Sequence, residues 1–218
     1  CHKNRNRGGG GGPAPPPPPT PLSYGLMSAA GNREIEIKLR IADAAGGRRI
    51  LEGAGFRVSR ARVFEANTVF DTAEGRLRAA ATLLRVREVN GSGLLTYKGL
   101  PVPGRHKERE EIEAAFAAPA ALSAILGRLG FAPVFRYEKY RTEYTDGAGT
   151  ATLDETPMGC FLELEGEPGW IDRTAAALGF DEGAYITGSY LRLWQEHRAA
   201  RGLPPADMVF GPADRADV

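Results

Sequence analysis

The run Glu34-Ile35-Glu36-Ile37-Lys38-Leu39-Arg40-Ile41 alternates charged and aliphatic residues with period two. In a strand that spacing puts Glu34, Glu36, Lys38 and Arg40 on one face and Ile35, Ile37, Leu39 and Ile41 on the other. A sheet with one wet face and one packed face accounts for a single strand of this kind. The pattern recurs, however, as Glu111-Ile112-Glu113 and Glu163-Leu164-Glu165. Basic pairs repeat the spacing at Arg85 and Arg87 and at Lys139 and Arg141, while Thr96-x-Lys98 and Thr152-x-Asp154 follow suit. Strands that all send charge to one face point to a shared polar interior.

The chemistry follows from the inventory. Lys38, Arg85, Arg87, Lys98, Arg109, Lys139 and Arg141 would face Glu34, Glu36, Glu111, Glu113, Asp154, Glu163 and Glu165. Unpaired, each buried charge costs on the order of several kcal/mol. Such an interior must be wet, internally paired, or filled by a charged ligand. Arginine forks bind phosphate bidentately and lysine acts as a point charge, so the cations suit a polyphosphate. The carboxylates would repel it unless a hard divalent cation, Mg²⁺ or Mn²⁺, lies between them. Together these groups stabilise the charge that develops in phosphoryl or nucleotidyl transfer.

The elements that must position these residues can be read in order. Asp43 caps a helix to about Ala54, and Gly55-Phe56 ends it. Gly130-Phe131 and Gly179-Phe180 repeat that ending, a weak internal repeat of acidic strand, helix and Gly-Phe. Strands are expected at Val63–Asp71, Leu83–Val89, Leu94–Lys98, Lys107–Ala115, Val134–Thr145, Thr150–Asp154 and Phe161–Glu165. Asn90-Gly91-Ser92-Gly93 is a hairpin signal, and Gly75-Arg76 a turn. Further helices are expected at Ala120–Leu129, Ile171–Leu178 and Tyr190 to about Ala200. His106 and His197 read as surface residues, Cys160 as a small packing residue, and Trp170 and Trp194 as packing anchors.

The 218 residues suffice for one domain with a substantial core. Lys plus Arg (28) balances Asp plus Glu (27), so net charge exerts no general pull toward nucleic acid or membrane. Cys1 and Cys160 form neither a disulfide framework nor a metal-ligand spacing, which fits a reducing cytoplasm. No apolar run approaches the ~20 residues of a membrane span. Residues 1–30, with a glycine run and Pro15 to Pro19, lack the aliphatic content to fold. Met27, just ahead of the first strand, is the expected initiator; a real flexible tail or a lipidated Cys1 are the alternatives. The folded unit is expected over 31–202, with an irregular tail at 203–218.

The ordered set of motifs resembles the CYTH superfamily, the triphosphate tunnel metalloenzymes, which include class IV adenylate cyclases and thiamine triphosphatases. The family's Glu-x-Glu-x-Lys stands as Glu34-Ile35-Glu36-Ile37-Lys38. Arg85-Val86-Arg87, Thr96-Tyr97-Lys98-Gly99, Arg109-Glu110-Glu111-Ile112-Glu113, Lys139-Tyr140-Arg141 and Leu153-Asp154 through Glu163-Leu164-Glu165 follow in order. The resemblance covers roughly residues 32 to 198. It implies an α+β fold: a closed antiparallel barrel of about eight strands, helices outside, and a tunnel that binds triphosphate. By the same resemblance Glu34, Glu36, Glu163 and Glu165 would be metal ligands, with Asp154 and Glu111 as further acidic candidates. Lys38, Arg85, Arg87, Lys98 and Arg141 would hold phosphates, with Arg109 and Lys139 beside them. A basic residue that the family often places near the C-terminus is replaced here by Ser189-Tyr190, with Arg192 as a candidate to reach in.

The expected activity is Mg²⁺- or Mn²⁺-dependent hydrolysis of a small-molecule triphosphate. Cyclisation of ATP in the same cavity and non-catalytic polyphosphate binding are the competing readings. No nucleic-acid or membrane partner is expected, and the protein would be a monomer or homodimer.

Overall fold

The computed structural model describes residues 32–211. The Gly/Pro-rich segment, Met27 and residues 212–218 lie outside the described residues. Eight strands run among those described: β1 (Asn32–Ile41), β2 (Arg57–Thr72), β3 (Leu83–Val89), β4 (Ser92–Lys98), β5 (Lys107–Phe116), β6 (Phe131–Thr145), β7 (Thr150–Thr156) and β8 (Gly159–Glu165). They pair antiparallel in the order β1-β5-β4-β3-β2-β6-β7-β8 and close through β8 and β1. Helices α1 (Ala44–Gly53), α2 (Arg76–Ala79), α3 (Pro119–Arg128), α4 (Pro168–Ala177) and α5 (Tyr190–Ala199) accompany them. This is the expected closed α+β barrel with helices outside. Closure pairs every described strand with a neighbour on each side, with one stretch of β6 left open before Tyr140.

The largest apolar cluster lies outside the barrel, as the alternation requires. Ile37 and Leu39 of β1, Leu153 of β7, and Leu162 and Leu164 of β8 pack against Leu51 of α1 and Ile171 and Ala175 of α4. A second cluster belongs to the inward faces: Tyr190 and Trp194 of α5 pack on Val69, Phe135, Tyr137 and Phe161, and Val69, Phe135, Tyr137 and Tyr190 also line the internal cavity. A third, smaller one joins Leu126 of α3 to Phe70 and Val86. Asn90 and Gly91 both take positive φ (49° and 78°), the backbone that a tight β3–β4 hairpin needs. The three Gly-Phe endings also share one geometry. Gly55, Gly130 and Gly179 have φ of 86°, 89° and 88°, which lets each chain leave its helix at a left-handed residue.

Several local expectations change. β2 begins at Arg57 rather than Val63, because its polar first third pairs with the long β6 through register shifts instead of obeying clean alternation. Gly75-Arg76 opens the one-turn helix α2. The Asp71 carboxylate accepts from the Leu77 and Arg78 amides at 2.8 and 3.0 Å, so Asp71 caps that turn. The chain after α5 has no helix of its own among the described residues, yet it docks. Met208 is fully buried and exchanges backbone hydrogen bonds with the β6 edge: its N–H donates to Arg136 O, and its carbonyl accepts from Glu138 N–H. His106, expected at the surface, is largely buried, with Nε2 2.8 Å from Asp172. Cys160 is half-buried and burial pushes its thiol up, which agrees with a packing role. Among the described residues no helix is long and apolar enough to cross a membrane.

Candidate active site

A cavity of about 580 Å³ runs inside the barrel. β1 sends Glu34, Glu36 and Lys38 into it, and β8 sends Glu163 and Glu165. β3 supplies Arg85 and Arg87, β4 supplies Lys98, β5 supplies Arg109 and Glu111, and β6 supplies Lys139 and Arg141. Residues far apart in the chain thus meet because each occupies an inward position of its strand.

Asp154 is the exception among the expected site residues. It is fully buried and does not line the cavity. Lys139 donates to it at 2.7 Å, Arg141 grips it with two nitrogens at 2.7 and 2.6 Å, and the Tyr190 hydroxyl donates at 2.8 Å. Its oxygens are taken up by donors, so the structure sets Asp154 behind the wall as the anchor of two cavity cations.

The rest of the interior is densely paired. Lys98 donates to Glu34 at 2.5 Å and lies 3.1 Å from Glu111. Arg109 also reaches Glu34, at 3.2 Å. Lys38 lies between Glu36 (2.9 Å) and Glu163 (3.2 Å), and Arg141 also grips Glu163. Burial alone would raise the Glu36 carboxyl and lower the Lys38 ammonium. The charges of Lys107, Lys38 and Lys98 hold Glu36 well below the carboxylate range, and Glu163 and Glu36 push Lys38 up. Both therefore stay ionised. Glu163 is likewise held low, by Lys38, Arg141 and Lys139 against its burial.

Glu165 differs. It sits at the cavity mouth, where its side chain meets solvent although protein surrounds it on most sides. That burial, then the charges of Glu34, Glu36 and Glu111, push its carboxyl up to about 8. Carboxylates that crowd Glu165 offer the oxygen donors that a hard divalent cation would take. Among the described residues, no group of three or more acidic, histidine or cysteine side chains is already gathered around one point, since lysines and arginines hold Glu34, Glu36 and Glu163. A cation would compete with those partners. Among the described residues no lysine or arginine hydrogen-bonds or ion-pairs with Glu165, so it is the carboxylate that a cation would relieve most.

Four residues outside the expected set belong to this network. Lys107 lines the cavity and donates to Glu36; burial, offset in part by Glu36, brings its ammonium down to about 8. Tyr137 lines the cavity and accepts from Arg85 at 3.1 Å. Burial raises its phenol, but Arg85, Lys139 and Arg87 outweigh this and lower it. Glu65, fully buried on β2, is ion-paired to Arg87. Tyr190 stands where a C-terminal basic residue was in question, its ring 5.3 Å from both Lys38 and Lys139. Parity with Arg109, Asn67 and Lys139 would have flagged the first three; nothing local marks Tyr190. Arg192 does not reach in: it is exposed and pairs with Glu196 at 2.8 Å. Arg40 leaves the lumen at the rim and lies over Phe161, 4.6 Å from its ring centre.

Comparison with known proteins adds an independent view. The CYTH domain family matches residues 32–178. A Methanocaldococcus jannaschii protein, provisionally named an adenylate cyclase, is 32% identical over 133 residues, 61% of this chain and 75% of its own. A solved Pyrococcus horikoshii protein is 27% identical with a TM-score of 0.64, covering 76% of this chain and 99% of its own. A Hippeastrum protein, named for adenylyl cyclase chemistry but described as having a dominant triphosphatase activity, is 20% identical with a TM-score of 0.59, covering 79% and 97%. A divalent cation is what membership of such a family implies. With the family match spanning most of the barrel, and the barrel closed around the charged interior that its motifs imply, this chain belongs to the CYTH family.

Proposed function

We propose that the barrel binds a small-molecule triphosphate and hydrolyses a phosphoanhydride bond with the help of Mg²⁺ or Mn²⁺. The observation that carries this reading is one cavity lined both by six cations, Lys38, Arg85, Arg87, Lys98, Arg109 and Arg141, and by the carboxylates Glu34, Glu36, Glu163 and Glu165. Cations alone would serve an anion binder. Glu34, Glu36, Glu163 and Glu165 would hold the metal, which when bound neutralises phosphate oxygens and makes the phosphorus under attack more electrophilic. Lys38 and the arginines bind the phosphate chain in one orientation, and that fixed geometry supplies much of the rate. Lys139 and Arg141 are kept in place by Asp154. Glu111, close to Lys98 and Arg85, is the side chain we assign to orient the attacking water. The Hippeastrum protein supports hydrolysis as a chemistry that a barrel of this fold can carry.

A second reading has one observation in its favour. Val69, Leu83, Phe135 and Leu191 give one stretch of the cavity an apolar wall beside Tyr137, where an organic group could rest. That suits ATP cyclisation, the chemistry for which the M. jannaschii relative is named, as well as hydrolysis of an organic triphosphate. Product analysis with inorganic triphosphate, ATP and thiamine triphosphate, each with Mg²⁺ or Mn²⁺, separates them. Orthophosphate without cyclic AMP is the expected result. Cyclic AMP with equal pyrophosphate would establish cyclisation, and no turnover of any substrate would leave a binding module.

A further inference from the structure

Glu65 stands directly opposite Lys139 in the β2–β6 pairing, and none of its surface meets solvent. It does not line the cavity. Its Oε2 lies 3.3 Å from Arg87 Nε and 3.7 Å from Lys139 Nζ. Among the described residues, neither of its oxygens accepts a hydrogen bond. Asp154, equally buried on the other side of Lys139, has four donor contacts aimed at it. The two carboxylates therefore do different things. Asp154 directs its partners through hydrogen bonds, whereas Glu65 supplies charge without direction.

A buried carboxylate with no hydrogen bonds is unfavourable unless nearby cations compensate it. Burial would raise the proton affinity of Glu65, but Arg87, Lys139, Arg141 and Arg85 outweigh it and hold the group at about 2. A glutamine or methionine would fill the same space without that penalty. The charge itself is thus the feature that needs a reason. A polyanion held too tightly in the ground state gains nothing in rate, and product release often limits turnover.

We propose that Glu65 is a built-in counter-charge to the phosphate-binding cations Arg87 and Lys139, lowering from behind the wall the positive potential that grips the polyanion so that products leave. It is a positioning residue that acts through its neighbours' field. This inference rests on reading the cavity as a triphosphate site. A charge so placed acts at short range in a medium of low effective dielectric and is little screened by salt.

The test is titration calorimetry of the full chain with inorganic triphosphate, the divalent cation being withheld to stop turnover. Native protein, Glu65→Gln, Glu65→Met and Glu65→Asp are compared, with thermal melts to verify folding and steady-state kinetics in Mg²⁺ alongside. Both neutral variants should bind triphosphate about fivefold or more tighter, with kcat and KM falling together, while the aspartate variant stays near native. Arg87 Nε donates to the side-chain oxygen of Asn67 at 3.1 Å. Asn67→Asp adds charge on that flank and should loosen binding by a similar factor, an arm that survives if the Glu65 variants do not fold. Unchanged or weaker binding in folded neutral variants, or no loosening in Asn67→Asp, would overturn the counter-charge. Failure of the native protein to bind triphosphate at all would sink the triphosphate reading, and this inference with it.

Discussion

Glu36 and Glu165 face each other across the β1–β8 pairing, yet their surroundings oppose. Glu36 is gripped by Lys38 and Lys107, while Glu165 meets mainly other carboxylates. Replacing Glu36 by glutamine leaves two buried ammonium groups short of a counter-charge, a loss of about 3 kcal/mol. Glu165→Gln instead removes repulsion between like charges placed directly opposite. The sign follows from its raised carboxyl. That group's contribution is neutral below the ordinary carboxylate range and turns unfavourable as pH rises toward 8. In EDTA at neutral pH, the expected outcome is a lower melting temperature for Glu36→Gln and one higher by about 1–3 °C for Glu165→Gln. Turnover with Mg²⁺ should fall by about a hundredfold or more in both. Metal-dependent activity that survives in both variants would remove them from the ligand set.

At the scale of elements, the segment after α5 matters more than its composition suggests. Residues 136–138 of β6 pair with β2 on one side, while β7 pairs with β6 only from Tyr140 onward. The backbone around Met208 fills the open edge between them. The Met208 side chain then enters the cluster that holds Tyr137 and Tyr190, two residues that line the cavity. Trp194 of α5 donates to the Ala206 carbonyl at 2.7 Å and ties the segment down. Met208→Ala should cost about 2–5 kcal/mol, read as a shift of the urea midpoint with unchanged slope. A midpoint within error of native would mean that the segment does not brace the barrel.

For the whole molecule, the interior couples stability to pH. Glu65, Glu36 and Glu163 are all held below the ordinary carboxylate range by cations that outweigh their burial. A lowered carboxyl stabilises the fold above its unfolded value, and that stabilisation is lost as pH falls through the folded value. For Glu65 the window runs from 4.5 down to about 2. Melting temperature measured in EDTA should therefore drop steeply between those limits. A flat profile there would mean that the interior pairs do not contribute to stability. The same pairs explain how so many charges fit in one barrel: each cation has a carboxylate neighbour, and the helices outside supply the apolar burial that the lumen cannot.

Period-two alternation by itself determined which face of each strand is charged, and a closed barrel is the arrangement that gathers eight such faces around one space. Glu34, Glu36, Lys38, Arg85, Arg87, Lys98 and Arg141 were legible for that reason, and the Asn90-Gly91 hairpin and the Gly-Phe helix ends were legible from backbone chemistry. What alternation cannot encode is depth. Asp154 and Glu65 share the parity of residues that line the cavity, but strand tilt and stagger set them behind neighbouring cations. Tyr190 and Met208 come from segments with no strand pattern at all, brought to the barrel by α5 and by an open stretch of β6. A side chain's face is a local property of the strand, whereas its reach into the lumen depends on curvature and register summed around the closed sheet.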